Sequence, residues 1–129
     1  MANELTVSAS INYSKNNHQL TFSPTAQQVD VAGEQHSAGV QGVTNPTAGE
    51  ALALNEVGAS AQGWGWFRNI GTSADTHISV GPRDGSGNFI ECFQLKGGEF
   101  AIMRLGDQQL YAKASTSAEH FIQYSIIEA

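Results

Sequence analysis

Between residues 63 and 114 the sequence alternates short runs of aromatic, β-branched and aliphatic residues with glycine-rich turns. Such runs predict consecutive β-strands. The best defined pair is residues 89–96 and 99–105, because the intervening Gly97-Gly98 tolerates the positive φ of a two-residue hairpin turn. The stretch contains no recognisable catalytic spacing. The stretch is therefore typical of a protein whose strands pair and pack in an assembly, rather than of an enzyme.

The register of this predicted hairpin follows from its turn. Lys96 would lie opposite Glu99, and Glu91 opposite Arg104, so that opposite charges meet across the strands. Both faces would carry apolar residues, which predicts cover on two sides, by a second sheet or another subunit. The apolar pairs of this register are Leu95 with Phe100, Phe93 with Ile102, Cys92 with Met103, and Ile90 with Leu105.

Short strands of this kind recur over most of the chain. Seven or eight of them predict an all-β fold, an antiparallel β-sandwich that is either jelly-roll-like or immunoglobulin-like. At 129 residues, the simplest organisation is a single domain over residues 1–129. The predicted strands outside the hairpin are Glu4–Tyr13, His18–Phe22 after a turn at 14–17, Trp64–Ile70, Thr76–Val80, Leu110–Ala114 and Phe121–Ile127.

The segment at about 24–62 differs in composition. It is rich in glycine, alanine, glutamine, serine and threonine, and it carries negative charges without any lysine or arginine. This composition is typical of long surface loops. Within it, Val29 and Val31 could form a short strand, and Ala51 to Val57 either a strand or a helical turn. In an assembly it could instead be an arm that orders against a neighbour. The candidate clasping segment runs from Asp30 to Glu56, and its acidic residues are Asp30, Glu34, Glu50 and Glu56.

Charge and composition exclude several classes of partner. The formal net charge is −6, the pI is about 5.0, and the six basic residues are dispersed. This argues against nucleic-acid binding, which favours a basic stripe. No apolar run approaches the roughly 18 residues of a membrane span, and the start lacks the features of a signal peptide. The single cysteine, Cys92, predicts a small buried group in a protein that folds in a reducing cytosol.

No motif in the sequence indicates catalysis. Glu34 and His36 would share one face of a strand, but no third metal ligand is indicated. The segments around Ser60 and Ser73 each lack the final glycine of a nucleophile elbow. Cys92 has no activating base nearby in the sequence. We therefore expect no enzyme and no catalytic, cofactor or metal site.

Trp64, Trp66, Phe67 and Arg68 form the most conspicuous cluster. On a strand, Trp64, Trp66 and Arg68 share one face and Phe67 lies on the other. Aromatic clusters of this kind are typical of a core or an interface. We therefore expect these four residues at or behind an interface. The alternative is a small carbohydrate-binding module in which Trp64 and Trp66 stack on sugar rings.

The carboxy-terminal half, about residues 63–128, resembles a group of small virion proteins of tailed bacteriophages. The resemblance is a pattern of strands and turns. It is carried by Trp64-Gly65-Trp66-Phe67-Arg68-Asn69-Ile70, Ile78-Ser79-Val80-Gly81, Phe93-Gln94-Leu95-Lys96-Gly97-Gly98-Glu99, Arg104-Leu105, Leu110-Tyr111-Ala112-Lys113-Ala114 and Ile122-Gln123-Tyr124.

This resemblance implies a structural role in the virion without enzymatic activity. The leading hypothesis is a capsid decoration (cement) protein, a β-sandwich that forms a homotrimer and clamps the major capsid protein. A second hypothesis places the protein in the tail, as a baseplate or fibre-associated component. Either way, the protein would fold in the host cytoplasm and end in the virion, with no cofactor, no nucleic acid and no membrane among its partners.

Overall fold

The computed structural model of the protein describes residues 4–55 and 57–129. The chain divides into two compact units, Met1–Ala32 and Gly33–Ala129. Twelve strands and one short 3-10 helix, Ala59–Ala61, lie in these described residues. The strands are β1 Leu5–Val7, β2 Ile11–Lys15, β3 His18–Phe22, β4 Gln27–Val29, β5 His36–Val43, β6 Glu50–Ala51, β7 Gln62–Asn69, β8 His77–Gly81, β9 Phe93–Lys96, β10 Phe100–Arg104, β11 Tyr111–Ala114 and β12 His120–Glu128.

The first unit contains two antiparallel strand pairs. β1 pairs with β4, and β2 pairs with β3. Asn16 and Asn17 join β2 to β3 with φ of 49° and 65°, the two positive values of a type I′ hairpin turn. The predicted return strand His18–Phe22 is confirmed. The turn is shorter than the predicted 14–17, because Ser14 and Lys15 belong to β2 and pair with β3. The single predicted strand Glu4–Tyr13 is wrong, because residues 8–10 separate β1 from β2 and the two strands have different partners.

The second unit contains two four-stranded antiparallel sheets. The first sheet has the order β10-β7-β12-β5 and the second the order β6-β11-β8-β9. Both sheets contribute to one buried apolar cluster: Phe67, Ile122 and Ile126 come from the first, and Ile78 and Val80 from the second. The prediction of an all-β, antiparallel, sandwich-like fold is confirmed. The strand count is higher than the seven or eight predicted.

The predicted hairpin between residues 89–96 and 99–105 is wrong. β9 pairs with β8 in the second sheet, whereas β10 pairs with β7 in the first. A turn does lie at Gly97-Gly98, where the Glu99 N–H donates to the Lys96 carbonyl and Gly98 has φ 84°. Instead of folding one strand back on the other, this turn takes the chain from one sheet to the other.

Cys92 is exposed, so its predicted burial is wrong. The expectation rested on a strand that began at residue 89. The structure begins β9 at Phe93, and Cys92 lies in the irregular segment before it. There the Cys92 N–H donates to the Val80 carbonyl at 2.9 Å.

The segment at about 24–62 is more ordered than its composition predicted. The eight-residue strand β5 lies within it and pairs along its length with β12. Further on, Leu52, Leu54 and Val57 are buried in the core of the sandwich. Three side chains anchor this stretch: Ser37 and Tyr124 donate to the Ala53 carbonyl, and Gln41 bonds both Ala51 and Ala53. A small number of apolar residues at the right spacing outweighs the polar composition around them.

Both four-stranded sheets belong to the second unit, Gly33–Ala129. The predicted sandwich therefore corresponds to that unit. The prediction that residues 1–129 form a single domain stays a prediction.

Candidate functional site

The outward side of the first sheet carries three rows of four side chains. Directly paired residues of antiparallel strands point to the same side of a sheet, so the register defines each row. We call these twelve residues the outer face. In the strand order β10, β7, β12, β5, the rows are Arg104–Trp64–Ile127–His36, Ile102–Trp66–Ser125–Ala38 and Phe100–Arg68–Gln123–Val40.

The outer face is largely apolar and open. Seven of its twelve residues are tryptophan, phenylalanine, isoleucine, valine or alanine. Phe100 is 62% exposed and Val40 is 54% exposed, whereas Trp64 and Trp66 are half-buried. With strands about 4.8 Å apart and alternate residues about 6.8 Å apart, the rows span about 14 Å in each direction. The outer face is therefore an exposed surface in which seven apolar residues are interspersed with five polar or charged ones.

The charge of the outer face is opposite in sign to that of the chain. Arg68 and Arg104 are exposed at opposite ends of β7 and β10, and His36 lies at the edge on β5. None of the twelve residues is aspartate or glutamate, although the whole chain has a net charge of −6. The outer face therefore combines apolar area with cationic groups.

Trp64 carries an unpaired polar atom. Its indole Nε1 is buried and has no hydrogen-bond acceptor among the residues that the structure describes. A buried donor without an acceptor costs about 1–3 kcal/mol. Trp64 is thus held in place by packing rather than by polar contacts.

The structure brings together three of the four clustered residues named from the sequence. Trp64, Trp66 and Arg68 share the outer face, as the alternation predicted. Phe67 is fully buried on the other side of β7, where its ring packs against that of Phe93 with 5.7 Å between the two ring centroids. Phe67 therefore supports the outer face from within the core.

The structure describes three of the four acidic residues of the candidate clasping segment. Asp30 is exposed in the first unit, and Glu34 is exposed in the second. Glu50 accepts a hydrogen bond from the Thr44 N–H at 2.7 Å, so its carboxylate holds its own chain. Glu56 lies outside the described residues. An interface role for these four residues stays a prediction.

Sequence reasoning missed much of the outer face. Phe100, Ile102 and Arg104 were assigned to a hairpin with residues 89–96, and Val40 to a loop. The alternation within each strand was visible. The pairing that joins β10 to β7 and β5 to β12 was not, because these partners are distant in the sequence.

A polar recess of about 470 Å³ lies on the second sheet, lined in part by His77, Ser79, Glu91 and Lys113. Ser79 donates a hydrogen bond to the Glu91 carboxylate. The His77 main-chain N–H donates to Ser115 Oγ at 3.0 Å. Ser79 thus bonds a carboxylate directly, unlike a serine nucleophile activated by an imidazole.

Within residues 4–55 and 57–129, no group of three histidine, cysteine, aspartate or glutamate side chains is placed to hold a metal ion. The same part of the chain has no helix that is long and apolar enough to cross a membrane.

We compared the chain with protein-family models, with curated protein sequences and with solved structures, and none of them matches it.

Proposed function

We propose that this chain is a non-enzymatic structural protein of a phage virion, a capsid decoration protein that binds the major capsid protein through its outer face. The observation that carries the proposal is the outer face itself, an open apolar surface across four strands with two exposed arginines. The resemblance of residues 63–128 to virion proteins supports the proposal that the protein is part of a virion.

The charge of the outer face favours a partner other than the same face of a second copy. Packing two outer faces together would bring Arg68 and Arg104 of both copies into one interface without a carboxylate to pair them. Like charges placed together in an interface cost several kcal/mol. A shell surface with apolar groups and carboxylates would instead complement both features.

The size of the outer face suits binding in many copies. A typical stable interface buries about 800 Å² on each partner, and the backbone beneath the outer face spans only about 14 Å by 14 Å. A single contact of this size is weak. An oligomer that engages neighbouring shell subunits gains affinity because the later contacts are intramolecular. This supports the proposed homo-oligomer, a trimer in the leading hypothesis.

Charge reversal on the outer face tests the proposal. The variant Arg68→Glu with Arg104→Glu is expected to bind shells of the same virus, assembled without this protein, about 100-fold more weakly. The matched control is Lys113→Glu with Asn45→Asp and Thr47→Asp, which makes the same change in net charge at residues that belong to neither the outer face nor β9. The measurement is co-sedimentation with shells, after circular dichroism has confirmed that both variants fold.

The control should bind like the unaltered protein. Equal loss in both variants would mean that net charge alone drives binding, and the outer face would not be the docking surface. Electron microscopy of labelled particles gives a second arm: label at the tail vertex alone would replace the capsid assignment with the tail assignment. Glycan binding that is lost with Trp66→Ala, without shell binding, would favour the carbohydrate-binding module.

A further inference from the structure

The hairpin of β2 and β3 has one apolar face with little cover. Register places Ile11 opposite Phe22 and Tyr13 opposite Leu20 on that face. These four side chains are 50–61% exposed. The other face carries polar pairs such as Asn12 with Thr21.

A hairpin of this size needs cover to be stable. Isolated two-stranded ribbons are marginal in water, and a hydrophobic face packed against another element is what stabilises them. All ten residues of β2 and β3 are exposed in the single chain. The apolar side chains of the hairpin are therefore available to a surface on another molecule.

The sandwich of the same chain has an open apolar cleft. β9 and β10 are the outermost strands of the second and first sheets, and each pairs on one side only, with β8 and β7. Between them lies a cleft of about 590 Å³. Phe93, Leu95, Ala101 and Met103 supply its apolar lining, and Gln94, Gly98 and Glu99 complete it together with Phe100, which also belongs to the outer face.

Charge distinguishes between the two apolar surfaces that could receive the hairpin. Lys15 and His18 are paired at the hairpin tip, on the same face as Tyr13 and Leu20. The outer face carries two arginines and would repel this tip. The one charged residue among those lining the cleft is Glu99, which would attract it.

We propose that the β2–β3 hairpin of one copy docks in the β9–β10 cleft of a second copy, so that copies join head to tail. The hairpin lays its apolar face over the cleft, and its outer strand can extend the sheet edge at β9. A head-to-tail contact of this kind closes into a ring when the rotation between copies permits. The inference rests on the homo-oligomer in the proposed function, but not on shell binding.

Two double variants of the β2–β3 hairpin, which change the net charge by the same amount, test the proposed docking. Tyr13→Asp with Leu20→Asp places two carboxylates on the apolar face, and Asn12→Asp with Thr21→Asp places two on the polar face. Light scattering after size-exclusion chromatography is expected to show that the first variant weakens association about 100-fold or more. The second is expected to remain oligomeric.

Hydrogen exchange gives a readout that needs no substitution. As the concentration of the unaltered protein is raised, amide protection of residues 11–22 and 93–104 is expected to increase together. Three results would overturn the inference: an unaltered protein that is monomeric throughout, an oligomer that survives Tyr13→Asp with Leu20→Asp, or protection in both segments that does not depend on concentration.

The outer-face variant separates this inference from the proposed function. Arg68→Glu with Arg104→Glu should lose shell binding and keep the oligomer. Tyr13→Asp with Leu20→Asp should abolish the oligomer. It should weaken shell binding only by the amount that the oligomer contributes through avidity.

Discussion

Tyr124 shows at the residue scale how a polar group is accommodated inside the sandwich. Its side chain is 5% exposed, and its hydroxyl donates to the Ala53 carbonyl at 2.8 Å. Burial raises the pKa of the hydroxyl above its ordinary value of 10.0. The same hydroxyl therefore anchors the stretch that carries the buried Leu52 and Leu54.

This environment predicts alkaline sensitivity. Because the folded pKa is raised, the contribution of Tyr124 to stability is complete below pH 10.0 and is lost as the pH rises toward the folded pKa. Tyr124→Phe should reduce the loss of stability between pH 9 and 11 seen in denaturant titrations. The control is Tyr13→Phe, which alters a tyrosine 50% exposed to solvent. An equal effect of both variants would contradict the assignment.

Alternation within single strands was the part of the fold that residue patterns could predict. Ile122, Tyr124 and Ile126 alternate with other residues along the predicted last strand, so they share one face, and all three are buried. Cys92 was misplaced because its strand was drawn too long. The local side-chain pattern indicates which face of a strand is apolar, but it does not indicate where the strand stops pairing with its neighbour.

At the scale of elements, the turn between β9 and β10 is one of the connections that join the two sheets. We call this turn, with the residues on either side of it from Leu95 to Glu99, the corner. Asn69, at the end of β7, forms hydrogen bonds with the corner through both its main chain and its side chain. Its N–H donates to the Glu99 carbonyl at 3.0 Å, its carbonyl accepts from the Gly98 N–H at 2.7 Å, and its Nδ2 donates to the Leu95 carbonyl at 2.9 Å. Asn69 Oδ1 accepts from the Gly71 N–H.

We expect Asn69→Ala to lower the free energy of unfolding by about 2 kcal/mol, because the Leu95 carbonyl loses its side-chain donor in a buried site. Chemical denaturation measures this loss. Asn45→Ala, at an exposed asparagine, should change stability by less than about 0.5 kcal/mol. Equal stability of the two variants would show that the main-chain bonds alone hold the corner.

The corner also explains the failed hairpin prediction. Gly97-Gly98 between two apolar runs is a strong hairpin signal, and the predicted pairs of opposite charge agreed with it. A β-carbon at Gly97, however, would lie 2.6 Å from the Ser73 carbonyl oxygen. The first glycine thus permits close approach to a distant loop, and only the second needs a positive φ. Sequence alone does not distinguish these two uses of glycine.

At the scale of the whole molecule, the buried core and both four-stranded sheets belong to residues 33–129. We expect a chain of residues 33–129 to unfold cooperatively with a midpoint close to that of the full chain. Residues 1–32 alone should show no cooperative transition, since small strand pairs are marginal in isolation. Thermal unfolding followed by circular dichroism measures both. A large loss of stability in residues 33–129 would favour the single-domain prediction.

The class of fold could be predicted from the sequence, whereas only part of the outer face could be predicted from it. Strand positions such as β7, β11 and β12 follow from local composition. The outer face depends on pairing between β5 and β12, whose residues lie more than 75 positions apart. Trp64, Trp66 and Arg68 were found because they share one strand. Val40 and Phe100 became part of the same surface only through the sheet.

The position of β12 has a consequence for how the protein is made. β12 lies between β7 and β5 in the first sheet, and it is synthesised after both of them. Until it emerges, β5 and β7 lack their common neighbour and the apolar residues beneath them stay uncovered. Folding of this sheet must therefore wait until β12 has been synthesised, and a nascent chain stalled before residue 120 would expose a surface that chaperones bind.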